Sequence, residues 1–159
     1  SVQIVYSLTS DGGLEFGGWN IDNFKLIEVL PAPPGTFTQY GSGSPGTGGL
    51  VPDLDGTGVP TAGAEVSFDV TNGLANGSGF LFFSAGQDSV PFGAATIHLA
   101  FPIFKLALLS LDGSGAASLA GPLPGIDPDI HLYLQYITID PGAPVGKRVT
   151  SNGLDMHIN

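Results

Sequence analysis

The feature that most constrains this chain is a succession of short apolar runs, each closed by residues that favour turns. The segments 71–73 (TNG), 112–115 (DGSG) and 140–142 (DPG) are typical turn signals, because Gly, Asn and Asp tolerate positive φ and Pro fixes a bend. No run after residue 35 has a helical period, so the spacing predicts strands joined by tight turns. The predicted strands are residues 36–41, 53–58, 64–71, 79–85, 94–101, 104–111, 115–120, 130–140 and 153–158.

The composition favours the same fold class. Of 159 residues, 25 are Gly and 13 are Pro, and 11% are charged, compared with about 25% in a typical soluble domain. A hydrophobic content of 42% argues against a disordered chain. Apolar Val66, Phe68 and Val70 alternate with polar residues, as in a strand with one buried face. We therefore predict an all-β fold, an antiparallel β-sandwich of the Ig-like or jelly-roll type.

The sequence divides at a proline-rich segment. We predict a linker at residues 32–36, a strand pair at residues 1–31 and a β-sandwich domain at residues 37–159. Val2 to Leu8 alternates apolar and polar residues over part of its length, as a half-buried strand does. Because an isolated hairpin is marginally stable in water, the strand pair needs partners. It is expected to lie on the following sandwich, to end a longer β domain, or to complete a sheet of another copy.

The charge balance excludes several partners. The net charge is −10 at neutral pH, and the basic residues are Lys25, Lys105, Lys147 and Arg148. Four scattered cations cannot supply the phosphate contacts that give nucleic-acid binders most of their affinity. The most apolar stretch, residues 94–111, contains His98, Pro102 and Lys105 and makes a poor membrane span. We predict no nucleic acid and no membrane insertion, and an acidity suited to calcium or to solubility outside a cell.

The run from Ser10 to Phe24 (SDGGLEFGGWNIDNF) resembles the closing strands of bacterial secreted jelly-roll domains of the lectin-like, MAM-like kind. The last strands of those domains read approximately S-D-G-x-x-x-x-G-W-x-I-D-D-V. This chain departs from that pattern at Asn23, where a second Asp is usual. The resemblance implies that residues 1–31 are the end of such a domain.

The remainder is similar to a C-terminal module of large secreted proteins of environmental bacteria. The matching runs are residues 40–46 (YGSGSPG), 58–63 (GVPTAG), 132–135 (LYLQ), 140–144 (DPGAP) and 151–154 (SNGL). In that group a Cys often stands where Ser44 is, with a partner downstream, and this chain has no Cys. The resemblance implies an accessory domain at an extracellular or cell-surface location, without enzymatic activity.

Candidates for catalysis are few. A nucleophile needs a neighbouring base, usually His, and the chain has His98, His131 and His157. Strand alternation predicts surface positions for His98 and His157, and His131 opens a strand. No Gly-x-Ser-x-Gly elbow occurs. The run 142–148 (GAPVGKR) lacks the spacing and the Ser or Thr of a phosphate loop, so we predict a turn there. We predict that the protein is not an enzyme.

The best metal candidate is the run Asp53-Leu54-Asp55-Gly56. A D-x-D-G turn can direct two carboxylates and backbone carbonyls at one point, and calcium prefers such hard oxygen ligands. Asp residues also form turns without any ion, and the twelve-residue calcium loop with its closing Glu is missing. We therefore predict no required cofactor, with calcium at Asp53 and Asp55 as a hypothesis. Weaker versions of the pattern are Asp127 with Asp129 and Asp11 with Asp22.

Two functions fit these observations. The first is a non-catalytic extracellular structural protein that self-assembles into a filament or surface layer by β-strand complementation. Low charge content and strands such as Gly79 to Phe83, apolar on both faces, favour it. The alternative is an accessory carbohydrate- or surface-binding module, or a sorting module, of a larger secreted protein. Tyr133 and Tyr136, on opposite faces of one strand, are candidate sugar platforms, and core packing is their other interpretation.

Overall fold

A computed structural model of the chain describes residues 33–125 and 129–159. These residues form β-strands, with one short 3-10 helix at Thr47–Gly49. None of their helices has the length and apolar character needed to cross a membrane. The strands are β1 (Thr36–Tyr40), β2 (Asp53–Gly58), β3 (Glu65–Thr71), β4 (Ser78–Ser84), β5 (Gln87–Phe92), β6 (Ala95–Leu99), β7 (Phe104–Ser110), β8 (Ala117–Pro122), β9 (Ile130–Ile139) and β10 (Arg148–Ile158).

Two antiparallel sheets pack face to face. Sheet A has the strand order β1-β10-β9-β4-β7, and sheet B has the order β2-β3-β8. Strands β5 and β6 form a separate hairpin. Every strand pairing is antiparallel, and each main sheet turns one apolar face toward the other. The predicted all-β antiparallel sandwich is therefore confirmed.

The core lies between the two sheets. On β3, Val66, Phe68 and Val70 are buried while Glu65 is exposed, which confirms the alternation predicted from the sequence. Burying a large apolar side chain of this kind contributes about 1.5–3 kcal/mol. The central buried side chains are Leu54, Val66, Phe68, Val70, Leu81, Leu109, Leu134, Tyr136, Leu154, Met156 and Ile158.

Strand β5 differs from the sequence prediction, in which residues 86–93 lie between two predicted strands and belong to neither. The strand begins at Gln87 and, within the described ranges, pairs with β6 alone. It carries Asp88, Ser89 and Pro91 and is largely exposed. Proline is tolerated on an edge strand because no ladder hydrogen bond is lost there. A polar edge strand with a proline has no apolar periodicity, so its sequence reads as a turn.

Strand β10 begins at Arg148, earlier than the predicted start at residue 153. Its register with β9 shifts between Thr150 and Gly153, which is a β-bulge. The side chain of Asn152 in this bulge bonds to the backbone of Leu54, accepting from its N–H at 2.8 Å and donating to its carbonyl at 2.9 Å. The bulge therefore ties sheet A to sheet B. The sequence Ser-Asn-Gly is typical of turns as well as of bulges. Only the pairing of β10 with β9 shows that it forms a bulge here.

The outer face of sheet A, the face turned away from sheet B, is partly covered by the β5–β6 hairpin. On β9, Leu134 and Tyr136 belong to the core, so alternation puts Tyr133, Gln135 and Ile137 on the outer face. Gln135 is nevertheless fully buried, because β6 lies over it. The outer face therefore has one covered region and one that the hairpin leaves open.

Several predictions fall on residues that the structure does not describe. The predicted strand pair at residues 1–31 lies outside the described ranges, as do Asp11, Asp22 and Asp127. Residue 32 of the predicted linker is also outside them. Residues 33–35 precede β1, which begins at Thr36.

Candidate functional site

A strip of aromatic side chains runs along the outer face of sheet A. His131 on β9 and His157 on β10 are register partners, and their rings stack with centroids 4.4 Å apart at an interplanar angle of 9°. Tyr133 lies beside His131 with centroids 6.2 Å apart, and it meets Tyr40 of β1 edge-on at 5.9 Å. These four residues are called the histidine–tyrosine strip below.

Carboxylates flank the histidine end of this strip. Nδ1 of His131 donates to the carboxylate of Asp155, with distances of 2.8 and 3.1 Å to its two oxygens. Oδ1 of Asp129, immediately before β9, lies 3.2 Å from Nε2 of His157. The atoms of Asp129, His131 and His157 that can bind a metal all lie within 4.8 Å of one another. This part of the strip therefore combines imidazole nitrogens with carboxylate oxygens.

The tyrosine end of the strip is less polar. Burial raises the pKa of Tyr40 far above its usual value, and the negative charge of Asp155 adds to the effect. Burial and Asp155 also raise the pKa of Tyr133. The hydroxyl of Tyr40 donates to the carbonyl oxygen of His98 at 2.9 Å, which connects β1 to the hairpin. Both tyrosines therefore keep their protons further into the alkaline range than a free tyrosine does.

His98 is buried, so its predicted surface position is wrong. Its backbone N–H donates to Oε1 of Gln135 at 2.9 Å, and its Nε2 lies 2.9 Å from the carbonyl oxygen of Ser42. Nε2 of Gln135 donates to the carbonyl oxygens of Thr96 and Ser151 at 3.0 and 2.9 Å. Alternation predicts that one face of a strand is exposed to solvent, but the ring of His98 is covered by Tyr40 of β1 and by Ser42 in the loop that follows β1.

Asp53 and Asp55 lie on β2, within a regular strand. As residues two positions apart, they share the face of sheet B that points away from the core. Nε2 of Gln39 donates to the carboxylate of Asp53 at 3.2 and 3.3 Å, and the N–H of Gly56 donates to Asp55 at 2.8 Å. Asp69 is the register partner of Asp55 and adds a third carboxylate to this face. The calcium hypothesis at Asp53 and Asp55 stays a prediction.

The two tyrosines of β9 have different environments. Tyr136 is fully buried in the core, which confirms the core-packing interpretation for this residue. Its hydroxyl makes no hydrogen bond of regular geometry in the part of the chain that the structure describes; burial raises its pKa, and the nearby side chain of Thr138 offsets part of that rise. The ring occupies space left by Gly79, where a Cβ would lie 2.5 Å from the hydroxyl. Tyr133 is the partly exposed residue of the pair and belongs to the strip.

Residues 142–147 lie in the loop between β9 and β10, and Arg148 begins β10, so the predicted turn is confirmed up to residue 147. The buried carboxylate of Asp140 organises this loop, accepting from the N–H and the hydroxyl of Thr47, each at 2.6 Å, and from the N–H of Gly142 at 2.9 Å. Burial alone would raise the pKa of Asp140, but these hydrogen bonds outweigh burial and lower it. Asp140 thus fastens the Thr47–Gly49 turn, a role that its sequence context does not reveal.

Strand β7 forms an apolar edge of sheet A. Among the residues described, it pairs with β4 alone, so half of its backbone N–H and C=O groups point away from the sheet. Phe104, Leu106 and Leu108 are exposed by 50%, 45% and 60%. Edge strands are usually protected by several charges, prolines or covering loops. Here the protection is one register irregularity and Lys105, whose ammonium lies 4.8 Å from the ring centroid of Phe80.

Apolar surface continues on both sides of this edge. On the core side a groove of about 400 Å³ is lined by Phe68, Phe83, Leu106, Leu123, Leu132 and Met156, among other apolar residues. On the outer face lies a shallow depression of about 450 Å³. Its apolar lining is called the open patch below and consists of Phe80, Phe82, Phe92, Leu108, Ile137 and Ile139. The β7 edge therefore borders unfilled apolar surface in both directions.

Sequence reasoning missed the pairing of His131 with His157. The two residues lie on different strands, and their register depends on the β9–β10 loop and on the bulge after Thr150. Alternation does place each histidine on the face opposite its apolar neighbours, and that signal could have suggested a shared face. It could not have shown that the rings meet.

Comparison with protein-family models, with curated proteins and with solved structures gives no match to this chain. The resemblance to secreted bacterial modules therefore stays a prediction from the motifs quoted above. The β7 edge and the histidine–tyrosine strip are the two features of the described residues from which a function can be inferred.

Proposed function

We propose that this chain is a non-catalytic extracellular structural protein that assembles with copies of itself into a filament or surface layer by β-strand complementation. The observation that carries this proposal is the β7 edge, with its outward backbone groups and three exposed apolar side chains. An extended segment added to such an edge gains main-chain hydrogen bonds along its length, and alternate side chains fill neighbouring pockets.

The segment Val2 to Leu8 has the properties of a donor strand. It has seven residues, the same number as β7. In an extended conformation one face would carry Val2, Ile4, Tyr6 and Leu8, because side chains alternate along a strand. An apolar face of this kind suits the groove beside Leu106. Donation from one copy into the edge of the next is a head-to-tail contact, and such contacts give open filaments unless the rotation closes a ring.

The hydrogen bonds of the histidines support a non-catalytic role. In the described ranges, the rings of His131 and His157 bond to carboxylates, and the ring of His98 bonds to a backbone carbonyl. None of these rings is bonded to a Ser or Thr hydroxyl, which is the contact that activates a nucleophile. The sequence has no Cys.

The proposal is tested by electron microscopy and light scattering of the full chain and of two variants. The acceptor variant Leu106→Lys with Leu108→Lys places charge on the β7 edge, and the donor variant Ile4→Lys with Tyr6→Lys places charge on the donor segment. We expect fibres from the wild-type chain and monomers from each variant. Mixing the two variants should give dimers, because one functional donor and one functional acceptor remain.

A control is Val145→Lys, which adds one lysine, half the charge added in each double variant, at an exposed position in the β9–β10 loop, outside β7. This variant should form fibres like the wild type. Fibres from the acceptor variant that match those of the wild-type chain would contradict the proposal, as would a wild-type chain that stays monomeric at every salt concentration.

The alternative function, an accessory carbohydrate-binding or surface-binding module, is favoured by the histidine–tyrosine strip. Tyr133 and His131 lie nearly parallel at 16°, and the flanking carboxylate of Asp155 can accept hydrogen bonds from sugar hydroxyls. A glycan array with the wild-type chain tests it, with Tyr133→Ala as the variant and Phe104→Ala as the control. Glycan binding lost only in Tyr133→Ala would favour this alternative, and no binding by the wild type would count against it.

A further inference from the structure

The histidine end of the strip has metal-ligand chemistry that the proposed self-assembly does not use. His131 and His157 lie directly opposite each other across β9 and β10, with their stacked rings on the outer face. Asp129 brings a carboxylate to the same point from the residue before β9. In the described part of the chain, Asp129, His131 and His157 are the group of three such residues whose possible ligand atoms all lie within 4.8 Å of one another. The group is on the surface, so an ion can reach it without any opening of the fold.

From this geometry we propose that Asp129, His131 and His157 form a binding site for a divalent transition-metal ion of the zinc class. Imidazole nitrogens and a carboxylate oxygen are ligands of zinc, and three protein ligands leave a fourth position for water. Ligand atoms about 2.0 Å from a tetrahedral ion lie about 3.3 Å apart. Oδ1 of Asp129 and Nε2 of His157 are already separated by 3.2 Å.

The remaining ligand is oriented by Asp155. Because Nδ1 of His131 donates to this carboxylate, the neutral ring carries its free lone pair on Nε2. A carboxylate bonded to the other nitrogen is the usual partner of a metal-ligating histidine, fixing the tautomer and making the ligand nitrogen more basic. Asp155 is therefore a positioning residue, whereas the three other side chains are the ligands. The candidate ligand atoms of the three residues lie within 4.8 Å of one another, so the stacked rings of His131 and the partly buried His157 must turn before both nitrogens can contact one ion.

The site is distinct from the calcium hypothesis at Asp53 and Asp55. Those carboxylates lie on sheet B and present oxygen alone, which suits a hard ion. Two imidazoles select against calcium, because calcium prefers oxygen ligands. The proposed site should therefore bind zinc in the presence of millimolar calcium.

The test is calorimetric titration of the metal-free full chain with zinc chloride in a buffer that does not bind metals. We expect saturation at one ion per chain, with affinity at least tenfold weaker in both His131→Ala and His157→Ala. Asp155→Asn should weaken binding by about 10–100-fold, the usual effect of losing such a partner. Glu65→Gln, which changes an exposed carboxylate on sheet B, is the matched control and should bind as the wild type does.

A second readout reports on the histidines directly. In a proton–nitrogen spectrum of the imidazoles, zinc should shift the signals of His131 and His157, and those of buried His98 should stay in place. The variants change surface side chains, and circular dichroism checks that each is folded. Absence of saturable zinc binding, binding that survives both histidine substitutions, or equal displacement by calcium would each overturn the proposal.

Discussion

The outer face of sheet A has a covered half, where a polar side chain is buried, and an open half, where apolar side chains are exposed. In the covered half, β6 lies over β9 and β10, and the buried amide of Gln135 uses its oxygen and both N–H groups in hydrogen bonds. In the open half, apolar Phe80 and Leu108 stay exposed on β4 and β7. The comparison teaches that burial on this outer face follows from what covers each residue and not from the hydrophobicity of the residue.

The physical reason is that a buried polar group and an exposed apolar group have different requirements. A buried amide costs free energy unless each of its hydrogen bonds is made, and the hairpin backbone makes them. An exposed apolar side chain costs little by itself, but a contiguous patch favours association with another surface. The covered half is thus complete within one chain, whereas the open half is the part that suits a partner.

The largest expected effect concerns Gln135, whose hydrogen bonds hold the β5–β6 hairpin on sheet A. Replacing it in Gln135→Ala leaves the N–H of His98 and the carbonyls of Thr96 and Ser151 without partners. We expect a loss of about 4 kcal/mol in the free energy of unfolding, because each unsatisfied buried group costs about 1–3 kcal/mol. Urea unfolding measures this change. Gln39→Ala is the control, since Gln39 is exposed and its loss should cost about 1 kcal/mol or less; equal losses in the two variants would contradict the comparison.

A pair of neighbouring leucines sharpens the contrast on β7. Leu109 is buried in the core, while Leu108 points to the open patch. We expect Leu109→Ala to lower the free energy of unfolding by about 3 kcal/mol, as core truncations do, and Leu108→Ala to change it by less than about 0.5 kcal/mol. Thermal and urea unfolding of dilute protein check both values. A large loss in Leu108→Ala would mean that the patch is covered within the chain.

The tyrosine that joins β1 to the hairpin gives the covered half a dependence on pH. Burial raises the pKa of Tyr40, so the unfolded chain loses this proton at lower pH than the folded chain does. Stability is therefore unaffected below about pH 10, the usual tyrosine pKa, and falls as the pH rises above it. Unfolding free energies measured from about pH 8 to pH 11.5 should show this decline.

Tyr40→Phe should cost about 1 kcal/mol at neutral pH, because its hydrogen bond to His98 is lost, and it should make the alkaline decline shallower. The raised pKa values of Tyr133 and Tyr136 act in the same direction, so part of the decline should remain. A variant whose stability depends on pH as steeply as the wild type does would show that Tyr40 is not the group involved.

The smallest expected effect concerns the core face of the same strand, β9. In Tyr136→Phe, a buried hydroxyl that lacks a partner in the described residues is removed with little change in shape. We expect the free energy of unfolding to rise by about 1 kcal/mol, since the variant no longer buries an unpaired polar group. A loss of stability would instead indicate a hydrogen bond of the hydroxyl, to the nearby Thr138, through water or to residues outside the described ranges. Tyr133→Phe, on the partly exposed face, is the control and should be close to neutral.

Much of the fold could be predicted from local patterns. The strict alternation of β3 followed from residue periodicity, because this strand has one apolar face and one polar face. The predicted bounds of β2 agree with the observed ones, although its sequence contains one large apolar residue, Leu54. Strand β5 could not be predicted, since an exposed edge with Asp88 and Pro91 leaves no periodic signal. The burial of His98 could not be predicted either, because it depends on a hairpin folding back over sheet A.

The candidate site was less predictable than the fold. The sequence indicates Asp53 and Asp55 as candidate ligands because they are close in sequence, and a motif describes residues that are close in sequence. His131 and His157 are close in space because β9 and β10 pair in one register. Shifting that register by one residue would turn one histidine to the other face, and nothing local to either residue fixes it.

The sequence by itself determined that this chain is all-β, that its strands are short and antiparallel, and which alternating residues form the core. These properties follow from interactions between residues one or two positions apart, namely alternation and turn chemistry. The tertiary structure decided which faces are covered, which strand is left as an edge and which distant side chains meet. Those properties depend on strand order and register. The packing of the whole sandwich sets both, and no short segment determines them alone.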